Sequence, residues 1–261
     1  MKIKENLTKE ELIKKIIEKK EFSDLPLFDV EKVLAFFNKS YRTNEEKIKL
    51  SRDLLRKMYS VFASDKIFTK KNESNDWFLN KHLSTKERFD YYPQIYLRLL
   101  KGFEKSNIKV FDLGAGINGL SYKFFPIKVN YLGIEAVGQL VNLMNTYFAK
   151  EKIRGLAVHE SLFNLDKVKE LISSAKEMKV ILLFKVLDSL EMLERDYSKK
   201  LLLEIVPISD RVVISFATRS LVKKEKFKAN RSWLINFISQ NFCILDDFEL
   251  GAERYICFKQ K

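Results

Sequence analysis

Cysteine is nearly absent: only Cys243 and Cys257 occur among 261 residues. They form no CxxC pair, so no disulfide framework and no thiolate metal site is expected, and a reducing, cytoplasmic setting is the default. No apolar run exceeds five residues, Val180–Phe184 being as long as any. That is far short of the roughly 20 that cross a bilayer, so no membrane role is expected. Met1–Lys9 lacks the apolar stretch of a secretory signal, and none is expected. Glycine and proline number eight and four, and only Gly102 falls within the first 103 residues. Repeats and low-complexity tracts are missing. Arginine is sparse, 11 of the 48 cations.

Apolar residues make up 46 % of the chain, enough for a real core, and charged residues 32 %. That mixture fits neither a membrane protein nor a disordered chain. Net charge is +13 with a pI near 9.5. Such an excess attracts polyanions, nucleic acid first among them. Lysine-rich composition also fits an AT-rich genome, so charge alone does not decide.

The chain changes character near residue 105, dividing it into 1–104 and 105–261. Before that point apolar residues recur at helical spacing: Leu12, Ile13, Ile16 and Ile17 within 9–20, Val30, Val33, Leu34 and Phe37 within 29–38, Ile48, Leu55, Met58 and Phe62 within 44–63. Residues 65–82 are polar and read as loop. Ser84-Thr85-Lys86-Glu87 reads as a capping box opening a helix over 85–100. These first 103 residues carry 23 cations against 16 anions.

After residue 107, short apolar runs alternate with amphipathic stretches. Strands are predicted at 108–113, 129–135, 155–159, 180–183 and 211–216, with helices at 120–125, 137–150, 165–175, 191–203 and 230–240 between them. Such βα alternation implies a parallel sheet covered on both faces. Segments 242–248 and 254–258 are joined too closely for a crossover, so they must form an antiparallel hairpin. An α/β parallel sheet closed by such a hairpin resembles the Rossmann-like S-adenosylmethionine-dependent methyltransferase fold, here preceded by helices.

The first strand ends in Asp112-Leu113-Gly114-Ala115-Gly116-Ile117-Asn118-Gly119. Glycines there let a ligand approach the backbone. The spacing Gly114, Gly116, Gly119 matches the dinucleotide pattern GxGxxG by count, so spacing alone does not separate a dinucleotide from another nucleoside ligand. A DxGxGxN turn suits methionine and adenosine better than pyrophosphate. Glu135 ends the next strand, where a carboxylate can accept ribose hydroxyls. Glu160, ending the third, is a candidate for the adenine amino group, though a surface charge reads almost as well.

Four runs in order, His82-Leu83-Ser84-Thr85-Lys86-Glu87-Arg88, the Asp112–Leu120 turn, Leu183-Phe184-Lys185-Val186-Leu187 with Glu191, and Ser215-Phe216-Ala217-Thr218-Arg219-Ser220-Leu221, carry a specific likeness. The set resembles the aminoglycoside-resistance 16S ribosomal RNA guanine-N7 methyltransferases. The resemblance implies S-adenosyl-L-methionine as cofactor and the RNA of the small (30S) ribosomal subunit as partner. It implies that Arg88 meets the methionine carboxylate, that Gly114, Ala115 and Gly116 line the methionine portion, and that Asp112 and Asn118 belong to the cofactor turn. Lys185 would face cofactor and target base; a lysine after Ile-Leu-Leu-Phe is costly to bury unpaired, which marks it independently. Ser215, Arg219 and Ser220 would stand where RNA enters, and 1–104 would dock RNA.

Several positions depart from the family pattern. Ala217 replaces a usual proline, Val222 and Lys223 replace two glycines, Gly119 replaces a proline, and Glu135 replaces an aspartate. The lost glycines fall in the loop expected to touch RNA. Arg219, Lys223, Lys224, Lys226, Lys228 and Arg231 lie within that loop with only Glu225 opposing. The proline-bearing run of exocyclic-amine methylation is absent after the fourth strand, and Cys243 and Cys257 lie in strands rather than at a nucleophile's position. Guanine N7 needs neither device. No metal is expected, and a monomer is the default. Methylation of another RNA, and a catalytically idle RNA-binding assembly role, stay open on the residues alone.

Overall fold

In the computed structural model, which describes residues 7–39, 41–60, 73–218 and 231–261, seven strands form one sheet. They are β1 (Ile108–Leu113), β2 (Asn130–Glu135), β3 (Gly155–His159), β4 (Met178–Phe184), β5 (Arg211–Ala217), β6 (Phe242–Leu250) and β7 (Glu253–Gln260). Their order is β3-β2-β1-β4-β5-β7-β6. The first five run parallel, and β7 inserts antiparallel between β5 and β6. Central strands are apolar on both faces, as a doubly covered parallel sheet requires. In β4, Val180 to Phe184 are all buried. The chain winds from β1 toward β3, then returns to β4 and β5. Strand order therefore reverses beside β1, the place where open α/β sheets bind ligands.

Helices α1 (Lys9–Ile17), α2 (Leu27–Phe37) and α3 (Asn44–Leu55) pack together before the sheet. A π-helical turn, Arg56–Ser60, extends α3. Their buried residues, among them Ile16, Val30, Val33 and Leu55, join the same apolar cluster as the sheet. Thr8 and Thr43 form reciprocal capping boxes with Glu11 and Glu46. Among the described residues no helix is long and apolar enough to cross a membrane.

Four local expectations need correction. The stretch read as loop contains α4 (Asn75–Lys81), opened by Ser74, whose hydroxyl accepts from Trp77 N, and anchored by buried Phe78 and Leu79. The single helix expected over 85–100 is two, α5 (Leu83–Arg88) and α6 (Tyr92–Leu99), with a 3₁₀ turn between. Pro93, which lacks an N–H, sits in the first turn of the second. The capping box at Ser84 does not form: α5 starts at Leu83, Ser84 Oγ accepts from Arg88, and Glu87 pairs with Lys185. Likewise the helix expected over 191–203 breaks after α9 (Leu187–Glu191), following α7 (Gly138–Lys150) and α8 (Leu165–Ser173), and resumes as α10 (Tyr197–Ile205). Asp196 turns the chain with φ 62°, and the Glu191 carboxylate accepts the Asp196 and Ser198 N–H groups at 2.7 and 2.8 Å. The last helix, α11 (Ser232–Asn241), leads into the hairpin.

Candidate active site

A pocket opens at the carboxyl ends of β1, β2 and β4. Gly114, Ala115 and Gly116 form one side, Glu135 and Ala136 the next, and Phe184, Lys185 and Val186 the third. Ser84 and Arg88 from α5, with His82 just before it, close the pocket, and Leu162 with Phe163 do so from the segment after β3. Met58 and Tyr59 complete the wall.

Both glycines of the turn are required by geometry. Gly114 has φ +71°, and a Cβ there would lie 2.5 Å from Val186 Cγ2. Gly116 has φ +55°, with the His82 ring 3.2 Å from where its Cβ would stand. The turn is fastened to the neighbouring strand. Gly114 N donates to Ile134 O at 2.9 Å, and Gly116 N donates to Glu135 Oε2 at 2.7 Å. Val137 N donates to the other Glu135 oxygen at 2.9 Å. Burial pushes this carboxyl up, while those backbone N–H groups pull it down. A carboxylate offers about four acceptor positions, so lone pairs beyond these two bonds remain for ribose hydroxyls.

Arg88 is 2 % exposed. Its Nη1 donates to Glu253 Oε1 at 3.0 Å and its Nη2 to Ser84 Oγ at 3.2 Å, while its Nε has no hydrogen-bond partner. A buried guanidinium donor without an acceptor is costly, and a ligand carboxylate would satisfy it. Phe184 lies beneath the guanidinium, 4.9 Å from ring centre. The cofactor implied by the sequence thus meets glycines without side chains, an acid with spare lone pairs, and an unsatisfied cationic donor. These residues fit it.

Lys185 takes φ 57°, uncommon for a side-chain-bearing residue. Its burial is not unpaired: Nζ contacts Glu87 and lies 3.1 Å from Glu253 Oε2. Glu253 therefore holds Arg88, Lys185 and the Ser215 hydroxyl together. Burial pushes the Glu253 carboxyl up, but Arg88 and Lys185 outweigh that and hold it below its ordinary value. Two cations and two carboxylates balance, which is what makes so much buried charge tolerable. His82, beside this cluster, is held down to about 3 by burial and by Arg88 and Lys185, so its ring is neutral.

Other expected residues lie elsewhere. Asp112 and Asn118 sit behind the turn rather than on the pocket wall. Asp112 Oδ2 accepts from Tyr131 Oη and Asn118 Nδ2 at 2.6 and 2.7 Å, and Asn118 accepts from Tyr92 Oη at 2.7 Å. Glu160 does not line the pocket; its Oε1 accepts from Ser161 N at 2.8 Å and from Asn164. Ser215 is 2 % exposed beneath Glu253, so it is no surface contact for RNA. Arg231 is engaged by Asp188 and by Ala217 O. Arg219, Ser220, Lys223, Lys224, Lys226 and Lys228 lie outside the described residues. Sequence reasoning missed Glu253, Tyr59, Met58 and Phe163 as parts of the site. Nothing local marks Glu253, whose partner Arg88 is 165 residues away.

Residues 70–241 match the model of a family described as ribosomal RNA methyltransferase (FmrO). A sequence search of curated proteins returned no match. Among solved structures, 16S rRNA methyltransferase RmtF in complex with S-adenosyl-L-homocysteine superposes with a TM-score of 0.80 at 19 % identity, covering 97 % of this chain and 98 % of that one. An rRNA methylase from Escherichia coli gives 0.75 at 18 %, covering 97 % and 100 %. The 16S rRNA methylase ArmA gives 0.59 at 21 %, covering 76 % and 97 %. At these identities the likeness is one of fold.

Proposed function

Since the chain belongs to the ribosomal RNA methyltransferase (FmrO) family, we propose that it uses S-adenosyl-L-methionine to methylate N7 of a guanine in small-subunit (16S) ribosomal RNA near the decoding A site. Such a modification would confer aminoglycoside resistance. The observation that carries the reading is the meeting of the Gly114–Gly116 turn, Glu135 and the unsatisfied Arg88 Nε in one pocket.

When bound, S-adenosyl-L-methionine supplies a sulfonium methyl that a base nitrogen can take by in-line displacement, leaving a thioether. N7 of neutral guanine has a free lone pair, so no proton must leave first and no general base is needed. The protein's task is then positioning and exclusion of water. Arg88 Nε holds the methionine carboxylate as a charge-assisted bond. Glu135 accepts from the ribose. The turn glycines bring the backbone against the ligand. Lys185, whose Nζ is fixed by Glu87 and Glu253, lines the pocket; its role is to border the cofactor and the target base.

Residues 1–104 form the RNA-docking part and 105–261 the catalytic part of a cytoplasmic monomer that acts on the 30S particle. The cations Arg219, Lys223, Lys224, Lys226 and Lys228 neutralise RNA phosphates. The target base is turned out of its stack to reach the pocket. Calorimetry tests the cofactor step. S-adenosylhomocysteine should bind at one site and NAD at none; binding of NAD, or of neither, would sink the reading.

A further inference from the structure

The first helices, read from sequence only as an RNA-docking part, also build a wall of the pocket. Tyr59, on the π-helical turn after α3, lines it together with Met58. Its hydroxyl donates to Asp29 Oδ2 at 2.7 Å. Asp29, in the first turn of α2, is fully buried, and its other oxygen accepts from the Ser161 hydroxyl. Ser161 Oγ in turn accepts from Phe163 N at 3.0 Å. Lys32, one turn further along α2, pairs with Glu194 at 2.6 Å and lies over the Phe163 ring. Helix α2 thereby ties Tyr59 to the Leu162–Phe163 segment of the lining.

The pocket is chemically divided. Arg88, Ser84 and Lys185 make one end cationic and polar. Tyr59 belongs with Leu140, Leu162 and Phe163 at the other, and burial first, then the nearby charges of Asp29 and Glu135, keep its phenol protonated. Glu135 is the acid placed for ribose hydroxyls, so the aromatic and aliphatic surface around it faces the nucleoside. Resting on the cofactor reading above, we infer that Tyr59 is a cofactor-binding residue. Its ring packs on the nucleoside end of the ligand, and Asp29 and Ser161 hold it there. The N-terminal helices thus complete the cofactor site as well as docking RNA.

Titration calorimetry on the full chain tests this with two ligands, S-adenosylhomocysteine and 5′-methylthioadenosine, which lacks the amino-acid end. Tyr59→Ala should weaken both roughly tenfold, within the range for removing an aromatic face from a nucleobase. Tyr59→Phe, which keeps the ring, should retain most of the affinity. Unchanged affinity in Tyr59→Ala, or a loss confined to S-adenosylhomocysteine, would overturn the inference while leaving the cofactor reading intact. A wild-type protein that binds neither ligand overturns the cofactor reading itself. Should Tyr59→Ala fail to fold, wild-type protein labelled with fluorotyrosine gives the same decision, with Tyr59→Phe assigning the resonance. The Tyr59 signal should shift on saturation with S-adenosylhomocysteine; a signal that stays put refutes the contact.

Discussion

Replacing Glu253 by glutamine should damage the protein more than any exposed charge change. Its carboxylate lies 3.0 Å from Arg88 Nη1 and 3.1 Å from Lys185 Nζ, with both partners' side chains under 7 % exposed. The amide keeps the shape but not the charge. Among the described residues, Lys185 then keeps Glu87 as its counter-ion and Arg88 keeps none. Breaking a buried pair by removing one partner costs about 3–5 kcal/mol. At about 2–4 °C per kcal/mol for a chain of this size, the melting temperature should fall by roughly 6–20 °C. The pH dependence gives a second check. The folded carboxyl titrates below its ordinary value of 4.5. Its stabilisation is therefore present above that value and lost as pH falls through the folded value. The gap between wild type and Glu253→Gln in urea unfolding should be widest near neutrality and close in acid. A gap below about 1 kcal/mol at pH 7, the size expected of an exposed pair, would refute the buried-cluster reasoning.

Three further outcomes can be measured. Gly114→Ala forces a side chain into φ +71° with its Cβ 2.5 Å from Val186, so it should lose about 1–3 kcal/mol of stability and most S-adenosylhomocysteine affinity, read by calorimetry. Asp112 is pushed up to about 6 by burial; the folded state then binds its proton more tightly, so this group lowers stability as pH rises from about 4 to about 6. Asp112→Asn should remove that slope in urea unfolding, and an unaltered slope would deny the shift. Changing Lys223, Lys224, Lys226 and Lys228 to Gln should leave cofactor affinity intact and flatten the salt dependence of RNA binding, since fewer counterions are released; an unchanged slope would return the run to a solvated loop.

The sheet was legible because its strands are short apolar runs punctuated by turns, and because the closeness of the last two segments forced a hairpin. The Gly114–Gly116 turn and Glu135 were legible for the same reason: both sit at strand ends, where topology brings them together. Lys185 stood out as a charge within an apolar run, but the inference of costly burial missed its two carboxylates. Glu253 looks locally like any acid after a glycine turn, and only the insertion of β7 beside β5 carries it under Arg88. Ser84 and Glu87 failed as a capping box because Arg88, one turn further along the same helix, takes the Ser84 hydroxyl, and Lys185, distant in sequence, takes Glu87. Asp112 and Glu160 show the converse. A strand-end position suggested ligand contact, yet Tyr131 and Asn118 occupy one carboxylate and local N–H groups the other. Tyr59 lies just past three turns of helix whose spacing suggested only packing.

Intact 30S subunits incubated with the protein and methyl-labelled S-adenosylmethionine test the central claim most directly. Borohydride reduction and aniline treatment then cleave RNA at 7-methylguanine, and primer extension locates the break. Incorporation of label together with a single new break at a guanine near the decoding site is the predicted result. Label incorporated without any such break would contradict N7 as the acceptor, and no label in any RNA would contradict methyl transfer itself.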